Sequence, residues 1–283
     1  MKESFKNIII PVNFSESSDN AIRTGIAMCK RHSAVLHLVY LKEDMNLIFP
    51  PGKSPQILEM VVEADVAVVA KLESQANKIM EENEIVCFYH TAEGPYYKTI
   101  SSKAKDLKGD LIILEKNRSG SGFSLLKKNS IYRVLRYSGC AILTVPNERL
   151  FLNFKNILFP VRPLRSALEK LYTTLPIIRK NDSKVLLFSP LKPELKEEER
   201  QTVDELMQRA DQLMSEDKVP VEREFKVAHD LAREVVKKAI EKKSDLIVIT
   251  ATITKGIKAA FTRDYTQKVI EDSPIPVLSV KTV

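Results

Sequence analysis

The chain has 283 residues, 44% of them hydrophobic and 29% charged, with a formal net charge of +7 at pH 7. That length suits two ordinary domains, each burying its own core, and with neither an apolar run of about 18 residues nor a signal-peptide pattern the protein is expected to be cytoplasmic, with no membrane partner. Lysines alternate with glutamates, as in Lys237, Lys238, Glu241, Lys242 and Lys243, so the positive charge reads as a solvated face and not as a nucleic-acid-binding stripe.

In chain order, β-branched runs alternate with amphipathic stretches, which predicts parallel βαβ units. Strands are expected over Asn7 to Val12, Ala34 to Tyr40, Ile85 to Thr91, Asp110 to Leu114 and Cys140 to Val145. A first helix starts after Ser15, whose hydroxyl can cap it, and places Ala21, Ile22, Ile26 and Cys29 on one face. From Gln56 to Asn83 a long helix spreads Ile57, Leu58, Met60, Val61, Val62, Val66, Val68 and Val69 around most of its circumference. That pattern predicts either a second contact surface, against the other half of the chain or a second chain, or a wide core face.

The opening segment Lys6 to Val12 (KNIIIPV) returns as Lys155 to Val161 (KNILFPV). Lys108 to Ile113 (KGDLII) returns as Lys243 to Val248 (KSDLIV), and Ala141 to Val145 as Pro276 to Val280. Three matches in one order establish an internal duplication. Copy one spans 1–147, copy two 153–283, and Pro146 to Asn153 reads as the linker. Matched segments lie closer together in copy two, which predicts that it lacks much of the Lys42 to Gly52 loop. Copy two then supplies a helix near Ser166, a strand from Lys184 to Phe188 and a long helix with Val203, Met207, Ala210 and Met214 facing the core. Strands Val221 to Val227, Asp245 to Thr250 and Pro276 to Val280 complete five per copy. The fold class is therefore α/β: two tandem three-layer α/β/α domains, each with a five-stranded parallel sheet, Rossmann-like in plan, with ligands at the carboxyl ends of the strands.

Catalytic and metal motifs are missing. No GxSxG, HExxH or paired-cysteine box occurs, and Asn13-Phe14-Ser15-Glu16 after the first strand holds no GxGxxG. Cys29, Cys87 and Cys140 lack CxxC spacing and read as reduced and structural. All four histidines, His32, His37, His90 and His229, read as structural; of these, His90 and His229 are also placed at strand carboxyl ends, near the expected cleft. After the fourth strand comes Glu115-Lys116-Asn117-Arg118-Ser119-Gly120-Ser121-Gly122-Phe123, then Asn129-Ser130 at a helix start. Small residues let backbone amides approach an anion, Arg118 adds charge and Ser130 a hydroxyl; a flexible polar loop is the alternative.

The PVNFSESS opening, the KGDLIILE strand and the SIYRVLRYSGCAILTVP ending resemble the universal stress protein family, over nearly the whole chain and twice. Members of that family which bind ATP carry Gly, two residues, Gly, nine residues, then Gly and Ser or Thr. The resemblance places those positions in copy one on Lys116, Ser119, Asn129 and Ser130, of which only Ser130 keeps the family's residue type. Gly120 and Gly122 lie beside the second position. Asn13, just past Pro11 in the opening motif, replaces the acidic residue that contacts ribose or adenine. Val39 falls where the base is contacted through the main chain, and Gly94 where a small residue opens the third helix.

In copy two the motif positions fall on Thr250, Ile253, Arg263 and Asp264, with Arg162 in place of the acid, so its ATP site is expected to be lost. Arg162 and Arg263 then serve another anion or are solvated or salt-bridged. The resemblance implies a non-catalytic stress-response protein with at most one degenerate ATP site, in copy one; the alternative is a nucleotide-independent interaction scaffold or sensor of another small ligand. An adenine-nucleotide hydrolase would need a glycine and serine loop after the first strand, which neither copy has. The resemblance also implies an intrachain pseudo-dimer through the last strands, with a homodimer as a further form.

Overall fold

The computed structural model describes residues 3–14, 18–42, 55–116, 130–164, 166–252 and 257–282. Copy one contributes β1 (Asn7–Val12), α1 (Ser18–His32), β2 (Val35–Lys42), α2 (Pro55–Asn83), β3 (Cys87–Glu93), α3 (Tyr96–Asp106), β4 (Leu111–Lys116), α4 (Ser130–Tyr137) and β5 (Ala141–Pro146). Copy two contributes β6 (Asn156–Pro160), α5 (Glu169–Asn181), β7 (Lys184–Leu191), α6 (Glu197–Ser215), β8 (Val221–Val227), α7 (Leu231–Glu241), β9 (Leu246–Thr252), α8 (Ile257–Asp272) and β10 (Val277–Thr282). The ten strands form one sheet in the order β3-β2-β1-β4-β5-β10-β9-β6-β7-β8. Within each copy the pairing is parallel; at the seam β10 runs antiparallel to β5, with Leu278 opposite Leu143. The last strands thus cover each other's edge, as the family resemblance implied, and make the intrachain pseudo-dimer.

The duplicated motifs explain themselves in contacts. Asp110 accepts hydrogen bonds from the Lys6 and Asn7 amides, and Asp245 accepts from the Asn156 amide and side chain. Each aspartate therefore ties the start of its copy's fourth strand to its first. Left-handed backbone recurs at matched places too: Ser33 and Asp182, Glu84 and Lys218, Lys108 and Lys243 all have φ near +50°.

Three expectations are adjusted. The shortening of copy two falls largely in a helix, since α6 has 19 residues against 29 in α2. Helix α2 packs chiefly on β2, β3 and α1 of its own copy. Copy two leaves its Val66 63% exposed; the side chains of Ile57 to Val62 lie outside the described residues. The linker is no tether: Phe151 and Phe154 are buried, and Thr24, Asn20 and Arg31 of α1 donate to the Phe151, Asn147 and Leu152 carbonyls. Met207 and Met214 are wholly buried core, and burial pushes the Cys29 and Cys87 thiols up to about 12.

A crevice opens in each half at the point where strand order reverses. β1 pairs with β4 only through Ile8 and Ile9, and β6 with β9 only through Ile157 and Leu158. Beyond those residues the ladders stop, which leaves a split at the carboxyl ends, where open α/β sheets bind ligands.

Candidate functional site

In copy one the described rim of the crevice comes from the ends of β1, β2 and β4. Pro11 and Val39 are register partners, and Val39 also pairs with His90, so Val39 sits fully buried within the sheet. β2 extends past the end of β1, leaving Leu41 and Lys42 beyond their last β1 neighbour. Asn13 is half-buried just after β1. Next to it Phe14 adopts φ 57°, a left-handed conformation costly for a bulky residue. Its ring stacks on Tyr40 at 5.5 Å, and the Lys71 ammonium lies 4.6 Å from the ring centroid. The pattern of motifs missed Phe14, Tyr40 and Lys71, because the three meet only through the fold.

Gly94 is where the chain needs a glycine: its φ is +124°, and a Cβ there would come within 2.9 Å of the Thr99 hydroxyl. Lys116, at the first family glycine position, turns away to the seam. Its ammonium is buried and donates to the Ser273 carbonyl of copy two at 2.7 Å. Arg118, Ser119, Gly120, Gly122 and Asn129 lie outside the described residues, as does the side chain of Ser130, whose backbone begins α4.

His90 does not mark the cleft. β3 continues to Glu93, which leaves His90 inside the strand, with its Nε2 3.1 Å from His37 Nδ1. His37 Nε2 in turn lies 3.2 Å from Asn7 Oδ1. Burial and the neighbouring His90 push His37 down to about 4. His32 is buried against Phe5 and Ser4, while His229 is exposed just before α7. Among the described residues, no group of three or more His, Cys, Asp or Glu could hold a metal ion.

Copy two fills the same crevice with cations. Counting back from the left-handed residues that end α1 and α5, Ser33 and Asp182, Lys170 takes the place of Ala21. Its ammonium spans the split, donating to the Pro160 carbonyl of β6 and, at 3.0 Å, to the Val248 carbonyl of β9. Arg162, directly after β6, lays its guanidinium 4.0 Å from the centroid of the Tyr265 ring of α8. Burial lowers both cations, and Arg162 adds to the shift of Lys170, which is held well below its usual value. Arg162 is half-buried and, among the described residues, makes no salt bridge; the Arg263 side chain lies outside them.

Matched contacts also move the copy-two motif by one residue. Lys108 and Lys243 share the left-handed turn before the fourth strand, Asp110 and Asp245 make the same tie, and Ser138 and Ser273, which end α4 and α8, both bond the carbonyl two residues on. With these as anchors, Ala251 matches Lys116 and Tyr265 matches Ser130, in place of Thr250 and Asp264.

The universal stress protein family model matches residues 4–146 and again 153–281. The chain belongs to the universal stress protein family. Its tandem fold is similar to that of a universal stress protein from Archaeoglobus fulgidus DSM 4304, with a TM-score of 0.72 and 14% identity over 97% of this chain and 96% of that one. A Pseudomonas aeruginosa UCBPP-PA14 protein assigned to the same family gives a TM-score of 0.68 and 14% identity over 99% and 94%. At such identities the likeness shows the fold of this tandem universal stress protein. No curated protein matches its sequence. Among the described residues, no helix is long and apolar enough to cross a membrane.

Proposed function

We propose that this tandem universal stress protein is a non-catalytic, cytoplasmic stress-response protein of two domains, 1–147 and 153–283, with at most one degenerate ATP or adenine-nucleotide site, in copy one. The reading is carried by the contrast at one address: copy one lines the α1 side of its crevice with Ala21, whereas in copy two the Lys170 ammonium ties β6 to β9. A flat base can lie against the Phe14 and Tyr40 rings, and Lys71 supplies a nearby positive charge. Pro11, Asn13, Val39, Gly94, Lys116 and the segment Arg118 to Ser130 are the residues proposed to shape this site, with the Ser130 hydroxyl on a phosphate.

Mass spectrometry of the intact purified protein tests for a co-purifying nucleotide, and calorimetry with ATP tests the count. At most one ATP should bind per chain, and Ser130→Ala should weaken it by about three- to tenfold, the loss of one hydrogen bond. Two equivalent sites would overturn the reading. The second reading, a nucleotide-independent scaffold or sensor, draws on Lys116, which spends its ammonium on the seam; it predicts no co-purified nucleotide and no ATP heat. A homodimer of the whole chain is proposed as a further form, to be checked by light scattering.

A further inference from the structure

We propose that copy two binds a small tetrahedral oxyanion of the phosphate class at the β6–β9 crevice, where Arg162 Nη2 and the hydroxyls of Tyr265 and Thr250 donate to it above the Lys170 ammonium. This site is independent of the nucleotide reading for copy one, and it rests on atoms that the fold buries without satisfying. Arg162 Nη2, the Tyr265 hydroxyl and Thr250 Oγ1 are all buried and, among the described residues, have no hydrogen-bond partner. Tyr265 is 7% exposed and Thr250 4%. Orphaned buried donors are uncommon in folded proteins, and the elements that carry these three meet at the end of one crevice.

Their positions follow from the elements that carry them. Arg162 follows β6, and Tyr265 comes up from α8 beneath the guanidinium. Thr250 lies two residues beyond Val248, whose carbonyl Lys170 binds. The two strand carbonyls use two of the three hydrogens of an ammonium and leave one for a ligand. Two cations thus lie beside each other, Lys170 buried and Arg162 half-buried with its Nη2 out of solvent, and among the described residues no carboxylate pairs with either. Such an arrangement is strongly disfavoured without a counter-charge. A single oxyanion would satisfy the three orphan atoms and balance the charge together.

The geometry also selects the anion's shape. A planar carboxylate is best held by donors that share its plane, as a side-on guanidinium provides. Here the guanidinium carbon lies 4.0 Å over the tyrosine ring, so the Arg162 and Tyr265 donors leave from different heights. An anion with acceptors pointing to the corners of a tetrahedron meets both.

The test titrates the full-length protein with inorganic phosphate, in chloride buffer of constant ionic strength, by calorimetry and by thermal unfolding. Wild-type protein should bind phosphate at copy two and melt at a higher temperature in its presence. Arg162→Gln should weaken that binding at least about tenfold, because it removes a charge-assisted bond. Tyr265→Phe removes one oxygen and should weaken it about three- to tenfold; should Arg162→Gln fail to fold, this variant carries the test. Sulfate should compete and acetate should not. Lys78→Gln, on the exposed side of α2 in copy one, should leave the phosphate titration unchanged. The proposal is overturned if phosphate gives no stabilisation beyond chloride, if Tyr265→Phe binds as wild type does, if acetate matches phosphate, or if Lys78→Gln abolishes the signal.

Discussion

Where copy one sets His90 beside His37, copy two sets Glu224 between Lys238 and Lys242. The places are the same: His90 pairs with Val39 on the neighbouring strand and Glu224 pairs with Phe188, and Lys103 of α3 matches Lys238 of α7. One edge of the long sheet is therefore held by a neutral imidazole pair, the other by a network in which Lys238 reaches Glu224 and Glu241, and Lys242 reaches Glu222 and Glu224. Ala21 and Lys170 differ in the same way at the crevice. The frame is set by features that both copies keep, the aspartate tie and the left-handed turns. Once those hold the backbone, the polar contents of each half are free to diverge, and the two halves become able to answer different ligands.

The most drastic way to break the comparison is to remove what the halves share. Leu143 and Leu278 face each other at the seam and are wholly buried. Leu278→Asp should cost more than about 4 kcal/mol, since it places an unpaired carboxylate in the core. Both copies should then lose structure at the same urea concentration; one copy melting with the other intact would show that the seam does not couple them.

Acid separates the halves with a smaller effect. His37 is depressed to about 4 by burial and His90, so it stays neutral in the fold while the unfolded chain takes up protons below about 6.5. Its contribution is complete above that value and is lost as pH falls from 6.5 through about 4. The loss should amount to about 2 kcal/mol by pH 4.5. Glu224 is lowered to about 2 by its bonds from Lys242 and Lys238, so its share is lost only as pH falls from about 4.5 through 2. Between pH 6.5 and 5, hydrogen exchange should therefore quicken in β3 and not in β8. His37→Leu, the residue type copy two carries at Leu186, should flatten the slope of urea stability with pH. An unchanged slope in that variant would remove the histidine pair from the account.

All ten strands were legible in the sequence: the inner ones because a parallel sheet buried on both faces writes continuous Ile, Leu and Val runs such as Asn7 to Val12, the edge strands β3 and β8 by their place in the repeat. Strand ends were less so: β2 and β3 run two residues further than their apolar runs, through Leu41-Lys42 and Ala92-Glu93, because pairing with a neighbour carries the ladder past the hydrophobic pattern. That extension is why His90 proved to be inside the strand. The polar contents of the crevices were hardest to read. Lys170 looks like any surface lysine on an amphipathic helix, and nothing local says that it turns inward to Pro160 and Val248. Tyr265 was hidden by a one-residue shift between the copies, which the matched aspartate ties and helix-ending serines resolve and motif spacing does not. Arg162 was visible as a substitution for the family's acid, yet its burial depends on α8, about a hundred residues later.

The smallest expected difference concerns how the halves hold each other at the seam. Copy one reaches across with Lys116, whose ammonium donates to the Ser273 carbonyl after α8. Copy two reaches back with Lys281, which donates to the Arg136 and Ser138 carbonyls at the end of α4. Ser138 and Ser273 are matched positions, so each helix ends against a cation from the other copy, where the negative end of its dipole favours one. The two lysines come from different strands, β4 and β10, and their surroundings differ: the Lys116 bond is buried, while the shorter Lys281 bond, at 3.1 Å, is exposed to solvent. Lys116→Met keeps the apolar stem and removes the buried donor, and should cost about 1–2 kcal/mol. Lys281→Met leaves carbonyls that water can reach, and should cost about 0.5 kcal/mol or less. Urea midpoints of the two variants compared with wild type decide it. Equal costs would mean that burial does not distinguish the two clasps, and the substitution of a lysine for the first family glycine would then need a reason other than the seam.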